Sequence, residues 1–147
     1  MNLSSENEVM SEVIRQTANA FPFRVGVLTK IQAVDVGIEE NAFVLGQGLD
    51  IKKYPFYDGE KKEKHLAFIG RISPEKGLED AAEIARRAGH QLIVFGHLQN
   101  PDYFEEIIQK YKDTISYKGH VEHQELMAGL ATCKALICTH KWVEAFG

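Results

Sequence analysis

From residue 65 onward the chain repeats one pattern: a short apolar run ending near a glycine, then a longer stretch with apolar residues at helical spacing. HLAFIG (65–70), QLIVFG (91–96), TISYKG (114–119) and ALICT (135–139) read as buried strands. Between them, GLEDAAEIARRAG (77–89) repeats Leu78, Ala81, Ala82, Ile84 and Ala85 at helical spacing and stops at Gly89. PDYFEEIIQKYK (101–112) opens on proline and carries Phe104, Ile107, Ile108 and Tyr111 on one face. EHQELMAGLATC (122–133) supplies a third helix. Parallel neighbours need a long crossover, usually a helix, so this alternation predicts an α/β fold with a doubly wound parallel sheet. Such sheets bind ligands outside the carboxyl ends of their strands. Here those ends carry GRISPEKG, GHLQN, KGHVEH and THKWVEAFG, and function is expected there.

Residues 1–64 are less regular. SEVIRQTANAF reads as a helix, RVGVLT as a strand, KIQAVDV as a short helix, and AFVLGQGLDIKKYPF as a strand followed by a glycine-bearing turn. YDGEKKEK (57–64) reads as a charged, solvated connection. The chain's 147 residues suit one domain, or one domain and a piece of another, and can bury about 70% of the unfolded surface. A net charge of −4 argues against a general nucleic-acid binder, so any anion site must be local. No apolar run reaches the roughly 18 residues of a membrane span, and the polar N-terminus MNLSSENEVMSEVIRQ is not a secretory signal. Cys133 and Cys138 are expected as buried free thiols, and the cytoplasm as the compartment.

GRISPEKG (70–77) places two cations between a strand and a helix. Gly70 lets the backbone turn sharply, Arg71 offers a planar fork of donors, and Lys76 a compact point charge. Together they suit a diphosphate; a solvated turn carrying an Arg71–Glu75 surface pair is the plainer alternative. Downstream, Glu144 in THKWVEAFG can accept two hydrogen bonds from vicinal hydroxyls, as in sugar binding, or serve as the negative charge at a helix start. A helix beginning at Gly147 would turn its free amides toward a phosphate.

GRISPEKG followed by EAFG resembles the retaining GT-B glycosyltransferases of family 4, among the glycosyl transferases group 1. Their C-terminal domain carries an arginine, then Lys-Gly after four residues, at one strand end, and Glu-x-Phe-Gly at its fourth strand. VLGQGLD and ISYKGHV resemble two intermediate signposts of the same family, so four ordered matches span about residues 44–147. KWVEAFG further resembles the UDP-glucose:tetrahydrobiopterin glucosyltransferases.

The resemblance implies the Rossmann-like half of a GT-B fold, truncated. Residues 1–43 would be the tail of an N-terminal acceptor domain and its linker, and 44–147 a nucleotide-sugar-binding domain. Arg71 and Lys76 would hold the donor diphosphate, and Glu144 the donor sugar. Phe146 and Gly147 would present amides to sugar and diphosphate, His120 and Val121 would lie near the nucleobase and Gly96 near the nucleoside, with Gly70 counted among the donor-binding residues as well. The donor would be a nucleoside diphosphate sugar, with UDP-glucose expected, and no metal would be required. A hexose would pass to the hydroxyl of a small-molecule or glycan acceptor. The family's second glutamate would fall at position 152, beyond the last residue, so weakened nucleotide binding is expected. A non-catalytic α/β module that binds a nucleotide or a protein partner is the alternative.

Other features carry less. His120 and His123 in HVEH, with His97, lack the further ligand and geometry a metal site needs and read as loop histidines. GQG (46–48) lacks a third glycine and a following helix, so a tight turn is expected. Trp142 suits either stacking on a ligand or packing beneath the Glu144 loop. Cys138 beside His140 has no oxyanion site and is rejected as a catalytic pair.

Overall fold

The structure, a computed structural model, describes residues 8–54 and 65–142. The chain divides into two compact units: residues 1–49 with 142–147, and residues 50–141.

In the first unit, α1 (Glu8–Ala20) precedes a small β-α-β crossover: β1 (Val25–Val27), α2 (Lys30–Val36) and β2 (Ala42–Val44). The two strands pair in parallel, with Val25 opposite Ala42 and Val27 opposite Val44. Local chemistry sets both ends of α2. The Thr29 side chain accepts from the Gln32 amide, and Gly37 closes the helix at φ 75°, a left-handed conformation that favours glycine. Ala18, Val27, Ala33, Val36 and Ile38 form the core of this unit.

The second unit contains β3 (His65–Ile69), α3 (Leu78–Arg87), β4 (Gln91–Phe95), α4 (Pro101–Tyr111), β5 (Ile115–Gly119), α5 (His123–Thr132) and β6 (Ala135–Leu136). Its four strands are parallel, in the order β5-β4-β3-β6. The parallel, alternating architecture expected from the apolar runs is present. Chain order reverses at β3, because β4 and β5 extend the sheet on one side and β6 joins on the other.

Pleating separates the two faces. Leu66 and Phe68 of β3, beside Leu92 and Val94 of β4, enter the main core with α3 and α4. On α3 the buried stripe is Leu78, Ala81, Ala82 and Ala85, whose small side chains let the helix lie close to the sheet. Ile84, expected on this stripe, is instead exposed, because it falls off the line of positions 78, 81, 82 and 85. On α4 the buried positions are Ile107 and Tyr111, with Phe104 half-buried against Tyr117 at 4.7 Å between ring centroids. The Asn100 side chain accepts from the Tyr103 amide, and Pro101 occupies the first turn, where its missing N–H costs nothing. α5 has no fully buried residue, but approaches β4 closely at Gly129, where a Cβ would come within 2.6 Å of the Phe95 ring.

Two expectations near the end of the chain are corrected. The last strand covers Ala135–Leu136, not 135–139. Cys133 is buried, but Cys138 lies beyond β6 and is exposed. Neither cysteine is in a disulfide.

Candidate functional site

Three strand-end loops of the second unit are bound to one another by backbone hydrogen bonds. The Gly70 amide donates to the Phe95 carbonyl at 3.0 Å, the Ile72 amide to His97 at 2.8 Å, and the Asn100 amide to Ile72 at 3.0 Å. The Gly96 amide donates to the Gly119 carbonyl at 2.9 Å. Gly96 adopts φ 148°, and a Cβ there would collide with the Gly70 carbonyl. Glycine is thus required by both conformation and space. The Tyr117 hydroxyl donates to the Gly96 carbonyl at 2.8 Å, fixing this turn from the neighbouring strand.

Across β3, the loop after β6 closes onto GRISPEKG. The Thr139 hydroxyl donates to the Gly77 carbonyl at 2.8 Å, and the Lys141 amide to the Glu75 carbonyl at 2.8 Å. The Lys141 ammonium lies 3.3 Å from the Asp80 carboxylate. Within GRISPEKG, residues Pro74–Lys76 form a single 3₁₀ turn, and Gly77 follows at φ 73° before α3 begins. The α3 N-terminus is completed from outside the loop, since the Glu79 amide donates to the Tyr103 hydroxyl at 3.3 Å.

A cleft of about 270 Å³ opens at the ends of β3, β4 and β5. Gly70, Arg71, Gly96, His120 and Val121, five residues singled out in the sequence, all line it. Ile69, Phe95 and Leu126 give it an apolar side, and His97 adds an imidazole that the sequence reading placed only at a strand end. Lys76 is not among the lining residues, although its Cβ would lie 3.8 Å from a Cβ placed on Gly70, which does line the cleft. Glu144, Phe146 and Gly147 lie outside the described residues. His123, the second histidine of HVEH, meets Tyr54 edge-on at 5.3 Å between ring centroids and does not line the cleft. Among the described residues no group of three or more His, Cys, Asp or Glu is placed to hold a metal ion. A wider depression of about 660 Å³ is lined by residues of α1 alone and is a helix surface, not a cavity with converging donors.

The electrostatics of the cleft centre on Arg71. Its Nη1 donates to the Gln99 side-chain oxygen at 2.9 Å, and its Nη2 lies 3.4 Å from a Glu75 carboxylate oxygen. The same Glu75 oxygen accepts from the Ser73 hydroxyl at 2.7 Å, and Ser73 is 3% exposed. Partial burial pushes the Glu75 carboxyl up, but the Ser73 hydroxyl, a backbone amide and the charges of Arg71 and Lys76 outweigh it and hold the group below its ordinary value. The surface pair expected as the plainer reading of GRISPEKG is therefore present, beside a cleft that the spacing alone did not disclose. Gln99 and Ser73 were missed: neither residue type marks a site without its neighbours in space.

Comparison with known proteins agrees with this fold. The model of the family glycosyl transferases group 1 matches residues 50–147. Among solved structures, AviGT4, a glycosyltransferase involved in avilamycin A biosynthesis, is 29% identical with a TM-score of 0.72, over 80% of this chain and 35% of that one. A mutant of S. aureus TarM, in complex with fondaparinux, α-GlcNAc-glycerol and UDP, is 20% identical with a TM-score of 0.72, over 94% of this chain and 29% of that one. The pneumococcal O-GlcNAc transferase GtfA, in complex with UDP and GlcNAc, is 18% identical with a TM-score of 0.60, over 90% of this chain and 28% of that one. This chain therefore spans about a third of the length of these structures. A comparison by sequence with curated proteins returned no match. Among the described residues no helix is long and apolar enough to cross a membrane. The parallel sheet, with its loops joined at the strand ends, is the Rossmann-like half of a GT-B fold, and the chain belongs to the glycosyl transferases group 1 family.

Proposed function

We propose that this chain is the nucleotide-sugar-binding part of a retaining glycosyltransferase of family 4. The donor is a nucleoside diphosphate hexose, with UDP-glucose favoured, and the acceptor is a hydroxyl of a small molecule or glycan. The observation that carries the reading is the convergence of Gly70, Arg71, Gly96, His120 and Val121 on one cleft at the carboxyl ends of three parallel strands. Two of the structural neighbours are complexes with UDP, which favours uridine as the nucleoside. The resemblance to UDP-glucose:tetrahydrobiopterin glucosyltransferases rests on KWVEAFG alone and enters only as the finest level of this proposal.

In the proposed reaction the bond between the sugar C1 and the diphosphate oxygen breaks, a bond from C1 to the acceptor oxygen forms on the same face, and the acceptor's hydroxyl proton passes to the departing diphosphate. The difficult charge develops on the departing diphosphate. Arg71, held in place by Gln99 and Glu75, stabilises that charge, with Lys76 as a second cation on the same loop. Preorganised donors of this kind contribute about 3–4 kcal/mol each in measured cases. Glu144 orients the sugar, with the amides of Phe146 and Gly147 beside it. Donor binding on these terms needs no metal, because the loop supplies the positive charge. Residues 1–43 are assigned to the acceptor domain and linker, and 44–147 to the donor domain. The proposed compartment is the cytoplasm, in keeping with two cysteines that form no disulfide.

Titration calorimetry with UDP, GDP and ADP tests the reading, using the wild type and the Arg71→Ala/Lys76→Ala double variant. Base-selective binding that disappears in the double variant is expected. Equal binding by both proteins would remove the cationic loop from the site. Nucleotide binding without glycosyl transfer by a chain that includes the acceptor domain would favour the non-catalytic module instead.

A further inference from the structure

We propose that Glu75 is an internal counter-anion of the cationic loop, one that competes with a bound diphosphate for Arg71 and so sets how readily the nucleoside diphosphate leaves. The proposal rests on the donor-site reading above.

Three features fix the carboxylate where it would compete. Its oxygen is held from beneath by the hydroxyl of buried Ser73 at 2.7 Å, so it is not a freely swinging surface group. Its backbone is held as well: Glu75 sits in the middle of the Pro74–Lys76 turn, and its carbonyl accepts from the Lys141 amide. The fixed oxygen then takes one edge of the Arg71 guanidinium at 3.4 Å, while Gln99 takes another at 2.9 Å. Gln99 is neutral and only orients the fork. Glu75 places a full negative charge beside the one cation that lines the cleft among the described residues. A diphosphate reaching Arg71 therefore meets a guanidinium that is correctly aimed but already partly neutralised. Such an arrangement sacrifices affinity and shortens product residence, useful where release of a polyanion would otherwise be slow.

The experiment separates charge from geometry. Glu75→Gln keeps a side-chain oxygen for Ser73 and Arg71 and removes only the charge. UDP, UMP and uridine are titrated against the wild type and Glu75→Gln at low salt and again at high salt. The variant is expected to bind UDP roughly two- to fivefold more tightly, the scale of a half-exposed ion pair. The gain shrinks for UMP, vanishes for uridine, and falls as salt is raised. Unchanged or weaker UDP binding by the variant, with the wild type binding UDP normally, would overturn the proposal. An equal gain for uridine would do so too, since the effect would then not be electrostatic. If the wild type binds none of the three ligands, the donor-site reading itself has failed and takes this inference with it. A thermal melt of Glu75→Gln verifies that the compared proteins are both folded.

Discussion

The backbone of Thr139 runs directly against Gly77: a Cβ on Gly77 would collide with the Thr139 carbonyl, while the Thr139 hydroxyl donates to the Gly77 carbonyl at 2.8 Å. Gly77 also holds φ 73°, where a side chain is strained. Gly77→Ala is therefore expected to cost about 3 kcal/mol, combining backbone strain with the displacement of a neighbouring chain. Thr139→Val, which removes only the hydroxyl, is expected to cost about 1 kcal/mol. Urea denaturation of the two variants measures both values, and a Gly77→Ala cost no larger than that of Thr139→Val would contradict the contact.

Tyr117 and Gly96 make a second such pair, nearer the cleft. Tyr117→Phe removes the donor to the Gly96 carbonyl and is expected to lower stability by about 1 kcal/mol. Because Gly96 lines the cleft, nucleotide affinity should fall with it. Thermal melts and UDP titration on one sample read the two effects together. Loss of stability with unchanged affinity would show that the turn does not depend on the tyrosine for its place in the site.

At the start of α4, the Asn100 side chain accepts from the Tyr103 amide at 3.1 Å. Asn100→Ala is expected to cost about 1 kcal/mol, and Asn100→Asp nearly nothing, since aspartate caps equally well. Denaturant midpoints of the three proteins check the order.

The Glu83 carboxylate, bound by Arg86 and Arg87 and then by Tyr111, is held down to about 2 from an ordinary value of 4.5. A depressed carboxyl contributes stability that is complete above the unfolded value and is lost as pH falls through the folded one. The stability gap between the wild type and Glu83→Gln should thus be steady above pH 5, then close as pH falls from about 4.5 toward about 2. Melting curves recorded across that range test it. A gap that does not change with pH would mean the arginines hold the carboxylate no better than water does.

The strand–helix alternation, the helix starts and stops, and the loops that face the cleft were legible because each depends on residues within a few positions of one another. Pro101 marks a helix start, and Gly89 a stop, wherever they occur. Of the five singled-out residues that line the cleft, Gly70 and Arg71 stood out from their own loop, whereas Gly96, His120 and Val121 were named only through the family resemblance. Ile84 was misjudged because an approximate helical repeat does not say where the buried stripe is centred. Cys138 was misjudged because β6 pairs with β3 only over Leu66–Ala135 and Ala67–Leu136 before the ladder ends.

Local chemistry alone thus accounts for the elements, their order along the chain and the cationic loop between β3 and α3. The order of strands in the sheet required the folded molecule, and with it everything that lies side by side. Placing β4 on one side of β3 and β6 on the other brings Gln99 to Arg71 and Thr139 to Gly77. Those contacts join residues far apart in the chain, and no spacing within either segment encodes them. The second glycine of GRISPEKG is a clear instance: its φ could be guessed from the helix that follows, but the carbonyl that forbids a side chain there arrives from the loop after the last strand.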